Sequence, residues 1–224
     1  MSIRGLSAKT GDSGPRRAGR PLDAAKRQAI IETAAHHFFH NGYAATSIEQ
    51  VAADAGVSKV TIYNQFGEKR ALFAAAVECE CEKMRGHFSL EAMPAGTIRE
   101  RLTAIGEAIS AFLFRPEMIQ FERRIAAETE AEPVIGAAFL EAGPWRMKHA
   151  FAAWLRHAAG TGELAIENAE LAAEQFVSMC KGMGDLERRF GAHVSLADRQ
   201  RRIRGAVDVF LAAYGAPSRA GNHR

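Results

Sequence analysis

The sequence predicts an all-α protein. Alanine and leucine are plentiful, aromatic residues make up only 8% of the chain, and runs that alternate apolar with polar residues are missing, which argues against strands. Apolar residues recur at helical spacing instead. Several of these segments start with Ser or Thr followed three residues later by Asp or Glu, as helix N-termini do. With 224 residues the chain can form one large or two small domains with a buried core.

The first helix is predicted over residues 23–41. Apolar side chains within 30–39 recur on one face, and Gly42 ends the helix. His36 and His40 are four residues apart, a spacing that could share a metal ion. No Cys, Asp or Glu nearby completes a tetrahedral set, so we interpret them as surface histidines and expect no metal site.

Residues 46–66 contain two short helices joined by a turn. Thr46 and Glu49 have the spacing of a capping box and are predicted to start the first helix. Gly56 stands where a left-handed residue ends that helix, and Ser58 can cap the second. This order is typical of a helix-turn-helix, which places its second helix in the DNA major groove. A solvated helical hairpin without a DNA partner is the alternative.

The residues expected to face the DNA groove are those of the second short helix that do not belong to its buried apolar face. If Val57, Ile62 and Phe66 point inward, Asn64 can pair with adenine and Thr61 can contact a base edge or a thymine methyl group. Lysine and tyrosine side chains suit phosphate contacts, which set the register on the duplex. The predicted DNA-binding residues of this unit are Thr46, Ser58, Lys59, Val60, Thr61, Tyr63, Asn64 and Lys69.

Positive charge is concentrated at the N-terminal end of the chain. Residues 1–70 hold 10 basic and 6 acidic residues, whereas the other 154 hold 19 and 20, within an overall net charge of +3. This is the distribution that a DNA-binding head requires. Residues 1–22 lack an apolar period and are expected to be disordered. Arg16, Arg17 and Arg20 in this arm could enter a minor groove or lie along phosphates, and a solubilising tail is the alternative.

A linking helix and a second helical region follow. Thr97 with Glu100 forms a capping box, Pro144 suits the first turn of a helix, and Ser195 with Asp198 caps the last helix. The helices predicted after the helix-turn-helix are 67–85, 97–114, 116–128, 133–140, 144–159, 168–190 and 196–214.

Several classes of protein are disfavoured. No apolar stretch of about 18 residues predicts a membrane span, and the N-terminus lacks the apolar core of a secretory signal. Cys79, Cys81 and Cys180 are odd in number and form no CxxC pair, which favours a reduced cytoplasmic chain without a redox switch. No nucleophile–base set, metal-ligand cluster or phosphate loop occurs at a known spacing, so we expect neither an enzyme nor a cofactor.

The segment VSKVTIYNQFGEKRALF resembles the helix 3 to helix 4 signature of TetR-type transcriptional regulators, usually similar to VSKGTLYxHFxSKExLF. AAHHFFHNGYAATSIEQVAADAGVS resembles helices 1 and 2 of that family, and strong similarity covers residues 25–77. EAGPWRMKHAFAAWLRHAAGTGEL and ELAAEQFVSMCKG resemble the regulatory domain of one subgroup. Val60, Gln65 and Glu68 depart from the pattern, where a small residue, His and Ser are common. These departures affect which operator is read.

The resemblance implies that helices of the second domain surround a ligand cavity and that the last two long helices pair in a twofold dimer. Such a dimer would present two recognition helices to a pseudo-palindromic operator. The expected pocket residues are Phe112, Phe121, Glu122, Arg123, His149, Trp154, Gln175, Phe176 and Met179. The expected dimer contacts are Val177, Cys180, Gly184, Ile203, Val207, Phe210 and Leu211.

The sequence therefore predicts a cytoplasmic, homodimeric repressor that a small apolar or amphipathic effector releases from its operator. An effector-independent architectural or nucleoid-associated protein is the alternative, and activation instead of repression stays open. The predicted parts are a basic arm (1–22), a helix-turn-helix domain (23–70), a helical regulatory and dimerisation domain (71–214) and a flexible tail (215–224).

Overall fold

The computed structural model describes residues 20–85 and 96–216, and these residues form ten α-helices and no strand. The predicted all-α fold is confirmed. The helices are α1 (Arg20–Asn41), α2 (Ile48–Asp54), α3 (Lys59–Phe66), α4 (Lys69–Arg85), α5 (Ile98–Leu113), α6 (Pro116–Ala131), α7 (Pro133–Ala142), α8 (Pro144–Gly160), α9 (Ala169–Arg189) and α10 (Leu196–Tyr214).

Most helix ends lie where the local signals placed them. Thr97 and Glu100 form the predicted capping box at α5, and the Ser195 side chain accepts a hydrogen bond from the Asp198 N–H at α10. Pro144 occupies the first turn of α8. The predicted start of the first helix was wrong, because α1 begins at Arg20 and so takes in residues that we assigned to a disordered arm. The rest of that arm and the tail beyond residue 216 lie outside the described residues.

Two buried clusters form the core. One joins α1, α2, α3 and α4 to α6 and α7, and it contains Phe38, Phe73 and Phe121. The other joins α5, α8, α9 and α10 around Phe151 and Phe210. The helix-turn-helix therefore shares its core with α6 and α7 of the second predicted domain, and burial of these aromatic side chains fixes the orientation of one part relative to the other.

The predicted continuous helix over 168–190 is interrupted. Gly182 has φ 48° and ψ −149°, which lies outside the helical region and bends α9. Beyond the bend, Gly184 packs against the guanidinium of Arg202 and the ring of Phe114, which leaves no room for a Cβ atom. These contacts lie within one protomer. The prediction that Gly184 lets two copies of the chain approach closely was therefore wrong.

The other expected dimer contacts are also used within the protomer. All six of these side chains belong to the core formed by α5, α8, α9 and α10 or pack against it, because they lie on the faces of α9 and α10 that the chain itself covers. The prediction that a second copy contacts Cys180, Ile203, Val207 and Phe210 was wrong, because these side chains are buried within one protomer. Val177 and Leu211 are half-buried, so their contact with a second copy stays a prediction. Val177 also lines the cavity described below. Large apolar side chains that remain exposed on α9 and α10 include Leu171, Met183, Leu186, Leu196 and Val209.

Among the described helices, none has both the length and the apolar character needed to cross a bilayer.

Replacing Thr97 by Ala should lower the free energy of unfolding by about 1 kcal/mol, because the first turn of α5 loses a side-chain acceptor for its N–H groups. Urea unfolding followed by circular dichroism would measure this at one fixed protein concentration. Thr103→Ala in the same helix is the matched control. The Thr103 hydroxyl binds the Arg99 carbonyl inside the helix, and alanine favours helix, so no comparable loss is expected. Equal losses would contradict the capping role.

Candidate DNA interface and effector cavity

The helix-turn-helix is built from two capped helices. Ser47, which has extended backbone angles, caps α2 by accepting a hydrogen bond from the Gln50 N–H at 3.1 Å. Gly56 has φ 66° and closes the turn. Ser58 then caps α3 by accepting from the Thr61 N–H at 3.1 Å. The predicted roles of Gly56 in the turn and of Ser58 as a helix cap are confirmed.

The predicted role of Thr46 was wrong. Its hydroxyl donates to the carbonyl oxygen of Gly42 at 2.7 Å, and the residue is only 2% exposed. Thr46 therefore holds the end of α1 and is not available to DNA. Ser47, one residue later, has the extended geometry and the exposure that a cap requires. Two adjacent hydroxyl residues make this choice ambiguous in the sequence.

The outer face of α3 presents a compact set of groups. Ile62 is buried at 1% exposure, as predicted, whereas Lys59, Val60, Tyr63 and Asn64 are exposed. Val60 is 65% exposed, which is high for a branched apolar side chain. An exposed amide beside an apolar side chain is a combination that can read base edges and thymine methyl groups.

Neighbouring contacts hold part of this face in place. Lys59 pairs with Glu49 of α2, and its ammonium lies 5.7 Å from the centre of the Tyr63 ring. The hydroxyls of Ser58 and Thr61 are 2.9 Å apart, so these two predicted DNA contacts bind each other at the start of α3. Asn64 lies on the same exposed face one turn after Val60.

Lys69 has a partner inside the head. Its ammonium donates to the Ala44 carbonyl at 3.2 Å and lies 4.6 Å from the centre of the Tyr43 ring. Partial burial lowers the pKa of Lys69, against the opposing influence of Glu128 and Glu132. Lys69 thus stabilises the loop between α1 and α2. A phosphate contact by its remaining N–H donors stays a prediction.

The contact of the N-terminal arm with DNA also stays a prediction. Arg16 and Arg17 lie outside the described residues, and for Arg20 the structure describes a helical backbone.

A contact that the sequence did not reveal connects α6 to the head. The Glu128 carboxylate accepts from the Tyr43 N–H at 3.0 Å and the Ala44 N–H at 3.3 Å. Arg124, one turn earlier, donates to the Phe39 carbonyl at 3.0 Å and to the His40 carbonyl. We call this group the α6 clamp. Its partners are more than 80 residues apart in sequence, so no local pattern could have identified it.

Gly42 makes the clamp possible. Its φ is 86°, and a Cβ atom placed there would lie 2.5 Å from Oε1 of Glu128. The left-handed backbone therefore favours glycine at this position, and a side chain here would also force the Glu128 carboxylate to move. The sequence indicated only that a helix ended here.

A cavity of about 1050 Å³ lies between the helices from α4 to α9 and is also reached by Phe39 of α1. Its size is at the upper end of the range usual for small-molecule sites. Charged side chains from α6, α8 and α9 add to a mainly apolar and aromatic wall. The large apolar wall residues include Phe39, Val77, Ile109, Phe112, Met118, Ile125, Phe139, Trp145, Phe151 and Phe190.

The predicted pocket residues divide into two groups. Phe112, Glu122 and Arg123 line the cavity. The others do not, because they pack in the core or pair on the surface. Phe121 is buried behind the wall, where its ring stacks on that of Phe39 at 4.0 Å. Trp154, Phe176 and Met179 belong to the core of α5, α8, α9 and α10. On the surface, His149 pairs with Glu170 at 3.0 Å, and Gln175 accepts a hydrogen bond from the Tyr214 hydroxyl at 2.6 Å.

Several lining residues were missed, and some carried a signal. Trp145 and Lys148 lie in the first turns of α8, next to the Gly-Pro sequence that starts it. Lys181 and Arg189 come from the two sides of the bend in α9. A straight helix would point these two side chains in other directions, so their place in the cavity wall could not be predicted without the bend at Gly182.

Cys81, Cys180 and the pair of His36 and His40 are candidates for a second kind of site. Burial raises the pKa of Cys81, which lines the cavity, to about 12, and it raises that of Cys180 to about 12. Both groups stay protonated and unreactive near neutral pH. His36 and His40 stack at 4.2 Å, and within the described ranges no group of three or more His, Cys, Asp or Glu residues could hold a metal ion.

Comparison with known proteins gives two family matches. Residues 100–216 match the family model described as AefR-like transcriptional repressor, C-terminal domain. Residues 30–76 match the model described as bacterial regulatory proteins, tetR family. Together these matches cover the helix-turn-helix and the helices around the cavity.

Solved structures with the same fold cover nearly the whole chain. A TetR-family transcriptional regulator from Mesorhizobium loti is 28% identical, with a TM-score of 0.72, over 88% of this chain and 100% of that one. A protein described as the flavonoid-responsive regulator FrrA is 29% identical, with a TM-score of 0.68 and the same coverage.

Two curated relatives align over shorter stretches. The HTH-type transcriptional regulator YerO of Bacillus subtilis is 40% identical over 53 residues, which is 24% of this chain and 18% of that protein. The HTH-type transcriptional regulator BetI of Rhizobium meliloti is 28% identical over 99 residues, or 44% and 49% of the two proteins. The chain therefore spans less than half the length of each curated relative that it matches.

Replacing Gly42 by Ala should destabilise the protein by more than Gly56→Ala does. Both changes place a side chain at positive φ, which costs roughly 1–2 kcal/mol. At Gly56 nothing lies within 4 Å of the new Cβ atom, whereas at Gly42 the Glu128 carboxylate must move. Urea unfolding of both variants would measure the difference.

The same pair of substitutions in a Glu128→Ala background tests the cause of that difference. With the carboxylate absent, Gly42→Ala and Gly56→Ala should cost about the same, because only the backbone strain remains. A difference that persists without Glu128 would contradict the role of the clamp.

Proposed function

The chain belongs to the TetR family of bacterial transcriptional regulators, and on that premise we propose that it is a cytoplasmic, homodimeric repressor released from its operator by a small amphipathic effector. The observation that carries the proposal is the outer face of α3. The α3 helix has eight residues and is held by the Ser58 cap at its start and by the turn at Gly56. Its exposed side chains suit base and phosphate contacts.

Different residues of α3 would do different work on the duplex. Asn64 can pair with an adenine through two hydrogen bonds, and the exposed Val60 can contact a thymine methyl group. Lys59 and Tyr63 lie beside them and suit phosphate oxygens, which fix the orientation of the head. Glu49 partly neutralises Lys59 in the free protein, and this pair would have to open for a direct phosphate contact.

Dimerisation would use the outer faces of α9 and α10. With the inner faces committed to the protomer core, the exposed apolar residues Leu171, Met183 and Val209 are the groups that a second copy could cover. A twofold axis through this surface would present two copies of α3 to two inverted half-sites.

The α6 helix connects the cavity to the head. One face contributes Glu122, Ile125 and Thr129 to the cavity wall, and the other carries the α6 clamp of Arg124 and Glu128. A ligand that displaces α6 would move the loop between α1 and α2 directly. Two such displacements in a dimer would change the distance between the recognition helices and weaken operator binding.

Linkage requires the reciprocal effect. An effector that favours the released state must bind less tightly to the operator complex than to the free protein, by the same factor. The aromatic wall of the cavity supports an effector with an apolar or aromatic body. The relative described as flavonoid-responsive supports the same class of effector for this chain.

Selection of bound sequences from random duplex DNA would test the proposal. Two inverted half-sites, with centres about one helical turn or a multiple of it apart, are expected for a dimer with two heads. Enrichment of AT-rich or bendable DNA without a motif would overturn the proposal and favour an architectural protein.

Replacing Asn64 by Ala should weaken binding to the selected operator by about 1–3 kcal/mol and relax the base preference at one position of each half-site. Binding to random DNA should change little, because that binding rests on phosphate contacts. Fluorescence anisotropy titrations at one salt concentration would measure both. Gln120→Ala, which removes an exposed amide from α6, is the control. Equal losses on the two DNA types would make Asn64 a backbone contact.

A further inference from the structure

Four of the charged residues that line the cavity, Glu122, Arg123, Lys181 and Arg189, belong to one connected group. Arg188 of α9 is 3% exposed and lies 2.7 Å from Glu122 of α6 and 2.6 Å from Asp185. Arg189 approaches the same two carboxylates, at 3.2 Å from Asp185 and 3.9 Å from Glu122. Lys181 lies 3.9 Å from Asp185. A single pair of carboxylates thus serves three cations.

Arg123 adds a fourth cation without a carboxylate. Its guanidinium donates to the carbonyl oxygen of Arg188 at 2.7 Å and pairs with no acid among the described residues. The group therefore contains four cations and two carboxylates, an excess of two positive charges. Arg123, Lys181 and Arg189 all line the cavity.

The other charges on the cavity wall do not offset this excess. Lys148 of α8 and Glu174 of α9 lie 3.6 Å apart and neutralise each other. Glu122 is already held by Arg188. A cationic ligand would meet a surplus of like charge at the wall, whereas an anion would supply the missing counter-charge.

The apolar part of the cavity decides what the rest of the ligand must be. Phe39, Ile125 and Phe151 are buried and line the cavity, while Arg123 and Arg189 are exposed. Arg123 and Arg189 therefore stand toward the solvent side, and the buried part of the wall around Phe39, Ile125 and Phe151 is apolar. A ligand that matches both zones has an apolar body and a charged head at one end.

We propose that the cavity binds an amphipathic anion, whose carboxylate or sulfonate is received by Arg123, Lys181 and Arg189 and whose aromatic or long apolar body enters the space beside Phe39, Phe112 and Phe151. This inference rests on the proposed function, because it names the chemical class of the effector for the same cavity. Arg123 is the central residue, since binding a guanidinium that lacks a carboxylate requires no existing ion pair to break.

Two fluorescent probes of the same shape can test the charge requirement. The anionic probe is 8-anilino-1-naphthalenesulfonate, and N-phenyl-1-naphthylamine is its uncharged counterpart without the sulfonate. Both brighten in apolar surroundings, so titration of the full chain gives an affinity for each. The anion should bind more tightly, and its affinity should fall as salt is added while that of the neutral probe stays constant.

The Arg123→Gln variant should bind the anionic probe more weakly by a factor of at least about ten, as expected for loss of a hydrogen bond to a charged group. Its affinity for the neutral probe should stay within about twofold, because the apolar wall is intact. Arg123→Lys should recover part of the anion affinity. Arg156→Gln removes an exposed arginine of α8 that does not line the cavity, and it should change neither affinity.

The possible failures are distinguishable. Tighter or equal binding of the neutral probe, or an unchanged anion affinity in both Arg123→Gln and Lys181→Gln, would overturn the anion preference and leave the effector cavity standing. Parallel loss of both probes in these two variants would also overturn it. If neither probe shows saturable binding, the effector cavity itself fails, whereas the selected operator would still stand as the test of DNA recognition.

Discussion

The packing of Phe121 against the helix-turn-helix domain fixes how that domain is oriented relative to the helices around the cavity. Phe121 belongs to α6 and is fully buried. Its ring lies 4.0 Å from that of Phe39 in α1, 5.7 Å from that of Phe139 in α7 and 6.2 Å from that of Phe73 in α4. Close-packed aromatic contacts of this kind leave few alternative arrangements, so a movement of α6 has to be shared by the helices around it.

The polar contacts of α6 follow from this packing. With Phe121 fixed against the head, Arg124 reaches carbonyl groups that the end of α1 leaves unpaired, and Glu128 accepts hydrogen bonds from N–H groups of the loop between α1 and α2. Gly42 is the residue that lets the Glu128 carboxylate approach. The opposite face of the same helix forms part of the cavity wall, so one rigid element bears on both the cavity and the DNA-binding head.

The charged group at the cavity also joins α6 to a neighbouring helix, because Glu122 of α6 pairs with Arg188 of α9. Burying Arg188 is costly unless it is paired, and the carboxylates of Glu122 and Asp185 supply the pairing. The bend at Gly182 belongs to the same arrangement, because the part of α9 that carries Asp185 and Arg188 lies beyond it. The two carboxylates stabilise the buried Arg188, and the other three cations, Arg123, Lys181 and Arg189, line the cavity.

The local sequence determined the helices, most of their caps and the helix-turn-helix. A cap or turn depends on hydrogen bonds between residues at most a few positions apart, so Ser58, Gly56 and the Thr97–Glu100 pair could be identified without the fold. Where two neighbours offered the same chemistry, as Thr46 and Ser47 did, local rules could not choose between them.

Tertiary structure decided which apolar face each helix buries and against what. Phe176 and Phe210 satisfy the same helical pattern whether they meet a ligand, a second copy or their own core, and only packing places them in the core of the protomer. The same holds for Glu128 and Arg123, whose partners lie far away in sequence. The reason is physical: helical periodicity records that a face is buried, whereas the identity of the neighbour depends on contacts made only when the whole chain has folded.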